Sequence, residues 1–128
     1  MVLLASGLAL GRLAIGAGLM IAPELTLKTL GFEKPSASTL AVARLAGGRD
    51  LVLGAAETAA LVKGDRTALL ASTLGVAAAD AGDTAIFGAA WASGEKSVRE
   101  ASMKGTVSAG LATASALWVA WRLRGRAR

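Results

Sequence analysis

The sequence predicts an all-α fold, an integral membrane four-helix bundle with a short interfacial helix after the first span. Three observations carry that reading. Apolar residues make up 54% of the 128, and the mean hydropathy of +0.56 lies above the usual soluble range. Four long stretches, about 2–22, 40–62, 68–92 and 102–121, hold few charges. Each approaches the roughly 20 residues that a helix needs to cross about 30 Å of hydrocarbon. The connections between them, "PELTLKTLGFEKPSAS", "KGDR" and "SGEKSVREASMK", are short and polar. The alternative, a soluble alanine-rich bundle, requires polar faces at helical spacing, and "GTVSAGLATASALWVAW" offers none. The length suits one domain over 1–128.

The first stretch holds Arg12 as its one charge. No basic residue precedes it and Arg12 interrupts it, so it is expected to span the bilayer and not to act as a cleaved signal. The short helix follows at Pro23-Glu24: proline suits a first helical position, an acid the first turn, and Gly31 the position past the end. Leu25, Leu27 and Leu30 are expected to hold it at the membrane surface. The second span contains "ARLAGGRDLVLGAAE", the third Asp80 and Asp83, and the fourth ends on Trp118 and Trp121.

With four spans the termini share a side. That side carries Lys63, Arg66 and the tail arginines 122, 124, 126 and 128, against Lys28, Lys34, Lys96, Arg99 and Lys104 opposite. The excess of basic residues places the termini in the cytoplasm, with the tail on anionic lipid. The isoelectric point near 10.5 is read as this anchor, and no nucleic-acid partner is expected.

Histidine, cysteine and tyrosine are absent. Thiol and imidazole catalysis are therefore excluded, and no metal ligand set or cofactor is expected. "DAGD" (80–83) is half of a prenyl-diphosphate magnesium motif without its second half. Lys104 is read as reaching the interface and not as half of a Ser108–Lys104 dyad. Gly16 and Gly18 are read as helix packing, since no strand precedes them.

The charges inside the apolar stretches are the candidate chemistry. Counted from the terminal side, Arg12 lies about ten residues deep, Asp50 about twelve, and Arg49 and Asp80 about thirteen. At about 1.5 Å per residue these share one level near the midplane. An unpaired charge there costs about 2.5–3.5 kcal/mol, so the cluster is expected to face inward and pair. Asp50 and Glu57 share one face of the second helix, and Asp80 and Asp83 one face of the third. Arg44 and Lys104, nearer the opposite surface, complete the charge balance. Close approach is expected through Gly7, Gly11 and Gly18 on the first helix, Ala43, Gly47 and Gly54 on the second, and Gly75 and Gly82 on the third. The same small-residue faces offer a surface for homo-oligomerisation.

The order "GLALGRLAIGAGLMIAPE", "LGF", "ARLAGGRDLVLG" and a third-helix aspartate resembles a family of uncharacterised small four-helix membrane proteins of bacteria and fungi, loosely similar to the DoxX-like group. The most specific matches are Gly48-Arg49-Asp50 with Gly54, then Pro23, Gly31 and Asp80. Members usually carry a histidine early in the fourth helix, where this chain has Met103-Lys104. The resemblance implies the fold and, through fungal relatives that accompany natural-product pathways, lipophilic substrates.

Two carboxylates bridged by arginine open epoxides in soluble limonene-type epoxide hydrolases, one carboxylate activating water and the other protonating the leaving oxygen. By that analogy, the expected function is an intramembrane epoxide hydrolase, isomerase or cyclase acting on a lipophilic small molecule. Asp50 and Asp80 form the acid–base pair, Arg49 and Arg12 orient them, and Asp83 and Glu57 are secondary. A small four-helix transporter or proton-coupled exporter and an accessory membrane subunit are the alternatives. Small multidrug exporters place a glutamate where this chain has Arg12, and the phenylalanine box of fluoride channels is missing.

Overall fold

The structure, a computed structural model, describes residues 2–32, 34–92 and 96–125. They are helical nearly throughout: α1 (Val2–Ile21), α2 (Pro23–Thr29), α3 (Ala37–Lys63), α4 (Arg66–Ala92) and α5 (Lys96–Gly125). Tail residues Arg126 and Arg128 lie outside the described residues. The chain forms two compact units, Met1–Ser72 and Thr73–Arg128.

In the first unit, local chemistry sets each helix end. Pro23 opens α2, where its missing N–H costs nothing. Gly31 ends it at φ 98, with Phe32 N donating to Leu27 O (2.9 Å) and Gly31 N to Lys28 O (3.0 Å). This is a Schellman closure, and its usual apolar contact is present: Phe32 packs on the cluster of Leu19, Leu27 and Ala43. Ser36 caps α3 by accepting from Thr39 N at 3.2 Å. Gly64, at φ 65, ends α3 with Asp65 N donating to Ala60 O at 3.0 Å. Asp65 Oδ1 at once accepts from Ala68 N at 2.9 Å, so one residue after the glycine the next helix is already capped.

α1 and α3 are antiparallel and nearly touch. A Cβ built on Gly16 would stand 2.8 Å from Gly47 O, and one on Gly54 3.1 Å from Ala9 O. Gly18 gives α2 its seat, since a Cβ there would stand 2.7 Å from Thr26 Oγ1. Gly7 and Gly11 do not serve as contact points: nothing lies within 4 Å of a Cβ on either. The face that packs is instead Ala5, Ala9, Gly16 and Leu19, all buried.

In the second unit, α4 and α5 approach where a Cβ on Gly105 would meet the Phe87 ring at 2.8 Å. Gly82 has open space around it, and Gly75 is exposed. α5 starts well ahead of the apolar run that predicts it. Its first residues, "KSVREA", are good helix formers apart from serine and valine, and part of the polar stretch read as a connection is helix. Arg122 lies over the rings of Trp118 and Trp121, 5.1 and 5.5 Å from their centroids.

The buried apolar residues are mostly alanine, with Leu19, Leu27, Leu69 and Leu123 among the rest, and Glu57, Thr73, Asp80 and Ser102 are buried too. Many large apolar residues face outward, including Leu3, Ile21, Leu45, Val52 and Leu25 in the first unit and Ile86, Leu111 and Trp121 in the second. Hydroxyls turn back on their own helices: Thr58, Thr84, Thr106 and Thr113 each donate to the carbonyl four residues earlier at 2.8 Å, which satisfies these four donors within the helix. Among the described residues one helix, α1, is both long and apolar enough to cross a membrane. The mean hydropathy of α3 and α4 is lowered by their charges and by the glycine and threonine around them.

Candidate functional site

α1 contributes Arg12 to the same stripe as its packing residues. Ala5, Ala9, Arg12, Gly16 and Leu19 recur at alternating spacings of four and three, one face of a helix. On α3, Ala43, Gly47, Asp50, Gly54 and Glu57 repeat the pattern, and Ala43, Gly47, Gly54 and Glu57 are buried. The two faces meet at Gly16–Gly47 and again at Ala9–Gly54. Arg12 and Asp50 lie between these close approaches.

There Arg12 Nη1 donates to Asp50 Oδ1 at 3.0 Å, with the two side chains 10% and 13% exposed. Arg49, next to Asp50 on α3, donates to the same oxygen from Nε at 3.3 Å and from Nη2 at 3.1 Å. One carboxylate oxygen thus receives three charge-assisted hydrogen bonds from two guanidiniums, one on each helix. Arg49 keeps more contact with the surroundings, its side chain being 35% exposed. Glu57, two turns along α3, is 2% exposed.

In the second unit Asp80 is 5% exposed, with Asp83 half-buried on the next turn of α4. Arg44 and Lys104 are exposed. Of the six candidate residues, the structure brings Arg12, Arg49 and Asp50 into direct contact, with Glu57 on the same face of α3.

Two features escaped the sequence reading. Thr73, buried in "ALLASTLG", went unnoticed because a single hydroxyl in an apolar run leaves no periodic signal. The Arg122–Trp118–Trp121 cluster does have a signal, an aromatic residue one turn before a cation on the same helix face.

What the first-unit cluster can do follows from its make-up. Two guanidiniums on one carboxylate give the cluster a net charge of +1. It can hold a polar or anionic group of a ligand, and its cations can stabilise a developing negative charge nearby. No curated protein and no solved structure matches this chain. A family profile, the domain of unknown function DUF4267, matches residues 9–122, which includes α2, α3 and α4 whole, most of α1 and all but the end of α5. The chain therefore belongs to the DUF4267 family, a family of unknown function.

Proposed function

We propose that this chain is a multi-pass membrane protein in which α1, α3, α4 and α5 cross the bilayer with the termini cytoplasmic, and that it carries out acid–base chemistry on a lipophilic small molecule. The membrane part is supported by the outward display of large apolar side chains over a core of alanine, glycine and charge. Patches of that kind mark surfaces meant for an apolar surrounding. The exposed Arg122 and Arg124 beside Trp118 and Trp121 support the orientation.

The observation that carries the chemistry is Asp50 held between Arg12 and Arg49, with Arg12 about 15 Å along α1, the helix that among the described residues is long and apolar enough to span. Replacing a buried pair by apolar residues is often neutral or stabilising, so packing alone gives little reason to place three charges here. In the proposed role Asp50 accepts the proton of a water or of a substrate hydroxyl as that oxygen bonds to an epoxide carbon; the ring C–O bond breaks with its electron pair going to the epoxide oxygen, which takes a proton from water, and Asp50 then releases its own proton. Arg12 and Arg49 fix the orientation of the carboxylate.

The test uses the purified full chain in proteoliposomes, incubated in ¹⁸O-water with a lipophilic extract of the source cells and read by mass spectrometry. Wild type is expected to convert at least one apolar compound, with ¹⁸O incorporated in the case of hydrolysis. Arg49→Gln, which leaves the Arg12–Asp50 link between helices in place, and Asp50→Asn are expected to lower that rate by about 10²–10⁴-fold. Asp80→Asn, assayed separately, tests the role the sequence reading gives that carboxylate. Absence of any conversion by wild type, or full activity of a folded Asp50→Asn variant, overturns the acid–base reading. Removal of the protein from membranes by alkaline carbonate overturns the membrane reading.

A further inference from the structure

At the C-terminal end of α1, where α2 turns back and α3 begins, lies an open groove of about 430 Å³. Its apolar walls come from Pro23, Leu25 and Leu40, and its polar rim from Glu24, Lys28 and Arg44. Lys28 Nζ pairs with Glu24 Oε1 at 3.1 Å. Arg44 is exposed and has no carboxylate partner among the described residues. Two cations against one carboxylate leave the rim with a charge of +1.

The surroundings of the groove are apolar and outward-facing. Ile21 is 85% exposed, Leu25 66% and Leu45 76%. α1 is 20 residues long, about 30 Å, so if it spans, its C-terminal end reaches headgroup depth. A cationic rim at that depth, edged by exposed leucine and isoleucine, matches an amphiphile with an anionic head and a hydrocarbon tail.

We propose that this groove seats an anionic phospholipid, its phosphodiester on Arg44 and Lys28 and the first carbons of its acyl chain along Leu25 and Ile21. The site rests on the membrane reading given above and is independent of the acid–base one. Arg44 supplies a planar fork of donors suited to two phosphate oxygens. Lys28 supplies a point charge, with Glu24 holding it at the rim. A zwitterionic headgroup would bring a third cation to a rim that is already positive, which is why selectivity for anionic lipid follows.

Native mass spectrometry of the full chain in detergent micelles tests this, with phosphatidylglycerol, phosphatidylcholine and soluble glycerol 3-phosphate as probes. Phosphatidylglycerol is expected to bind with one preferred site and glycerol 3-phosphate not to bind. Arg44→Gln should weaken phosphatidylglycerol binding about fivefold, and Lys28→Gln should weaken it less, because its Glu24 partner offsets part of the charge. Lys63→Gln, the same loss of charge at the far end of α3, should leave binding unchanged. Equal binding of both lipids, equal effects of Arg44→Gln and Lys63→Gln, or retention of glycerol 3-phosphate at the level of the lipid overturns the proposal. Carbonate extraction distinguishes the two failures. A protein stripped from membranes takes the membrane reading and this site down together, whereas a retained protein without lipid preference refutes the groove alone.

Discussion

The packing of α1 on α3 makes a sharp prediction about two glycines five residues apart on the same helix. An alanine at position 16 would place its Cβ 2.8 Å from Gly47 O and 2.9 Å from Leu51 N, both backbone atoms that cannot swing aside. Ordinary contact begins near 3.4 Å, so the helices must part by about half an ångström. A gap of that size forfeits about a quarter or more of each contact's attraction along the seam. Overpacking of this kind costs about 1–3 kcal/mol. An alanine at position 11 meets nothing within 4 Å. Both changes gain the same helix propensity, about 0.5–1 kcal/mol in water, and this cancels in the comparison. Gly16→Ala is therefore expected to unfold more easily than Gly11→Ala by about 1–3 kcal/mol. Reversible unfolding in mixed detergent–dodecyl sulfate micelles, followed by circular dichroism, measures the difference. Coincident transitions for the two variants would refute the antiparallel seam described here.

The other stability predictions use the same assay. Gly64→Ala must hold a Cβ at φ 65, which costs about 1–2 kcal/mol; an unchanged midpoint would show that α3 does not end on a left-handed residue. Asp50→Asn removes the carboxylate that the buried Arg12 donates to and is expected to cost about 3–5 kcal/mol, whereas Arg12→Gln leaves Asp50 paired with Arg49 and is expected to cost less. The Asp50→Leu/Arg12→Met double variant should recover most of that loss. Additive single effects, with no coupling between the two positions, would show that the pair does not exist.

Much of the helical order was legible because the punctuation is chemical. Pro23, Gly31, Ser36 and the Gly64-Asp65 pair each force or cap an end, and the observed helices obey them. The matched depths of Arg12 and Asp50 were legible too, from counting along the chain. The contact face of α1 was misread, because apolar residues surround that helix and hydrophobic periodicity cannot phase it. Gly7, Gly11 and Gly18 form a plausible small-residue row, yet Gly7 and Gly11 face open space. The phase was nonetheless in the sequence, in Arg12. A charge that must face inward fixes the face of its helix, and stepping three and four residues from Arg12 gives Ala9, Ala5, Gly16 and Leu19, the residues that are buried. The groove beside α2 was not legible, since it needs the turn at Ala22 to bring Lys28 and Arg44 to one rim.

Placing the ion pair between two glycine contacts is itself informative. Aspartate is the shortest acid and reaches little beyond its own backbone, so a bridge to another helix needs the two axes close together. Gly16 against Gly47, and Ala9 against Gly54, hold them there on either side of Asp50. The seam and the charge cluster are thus one device: widening the seam stretches the 3.0 Å contact, and losing the contact leaves buried charge pressing the seam apart. A protein that needed the seam alone could fill positions 12 and 50 with leucine and gain apolar contact. Two guanidiniums gathered on one carboxylate oxygen, in a layer otherwise given to alanine and glycine, therefore tie the position of the polar centre to the closeness of the two helices.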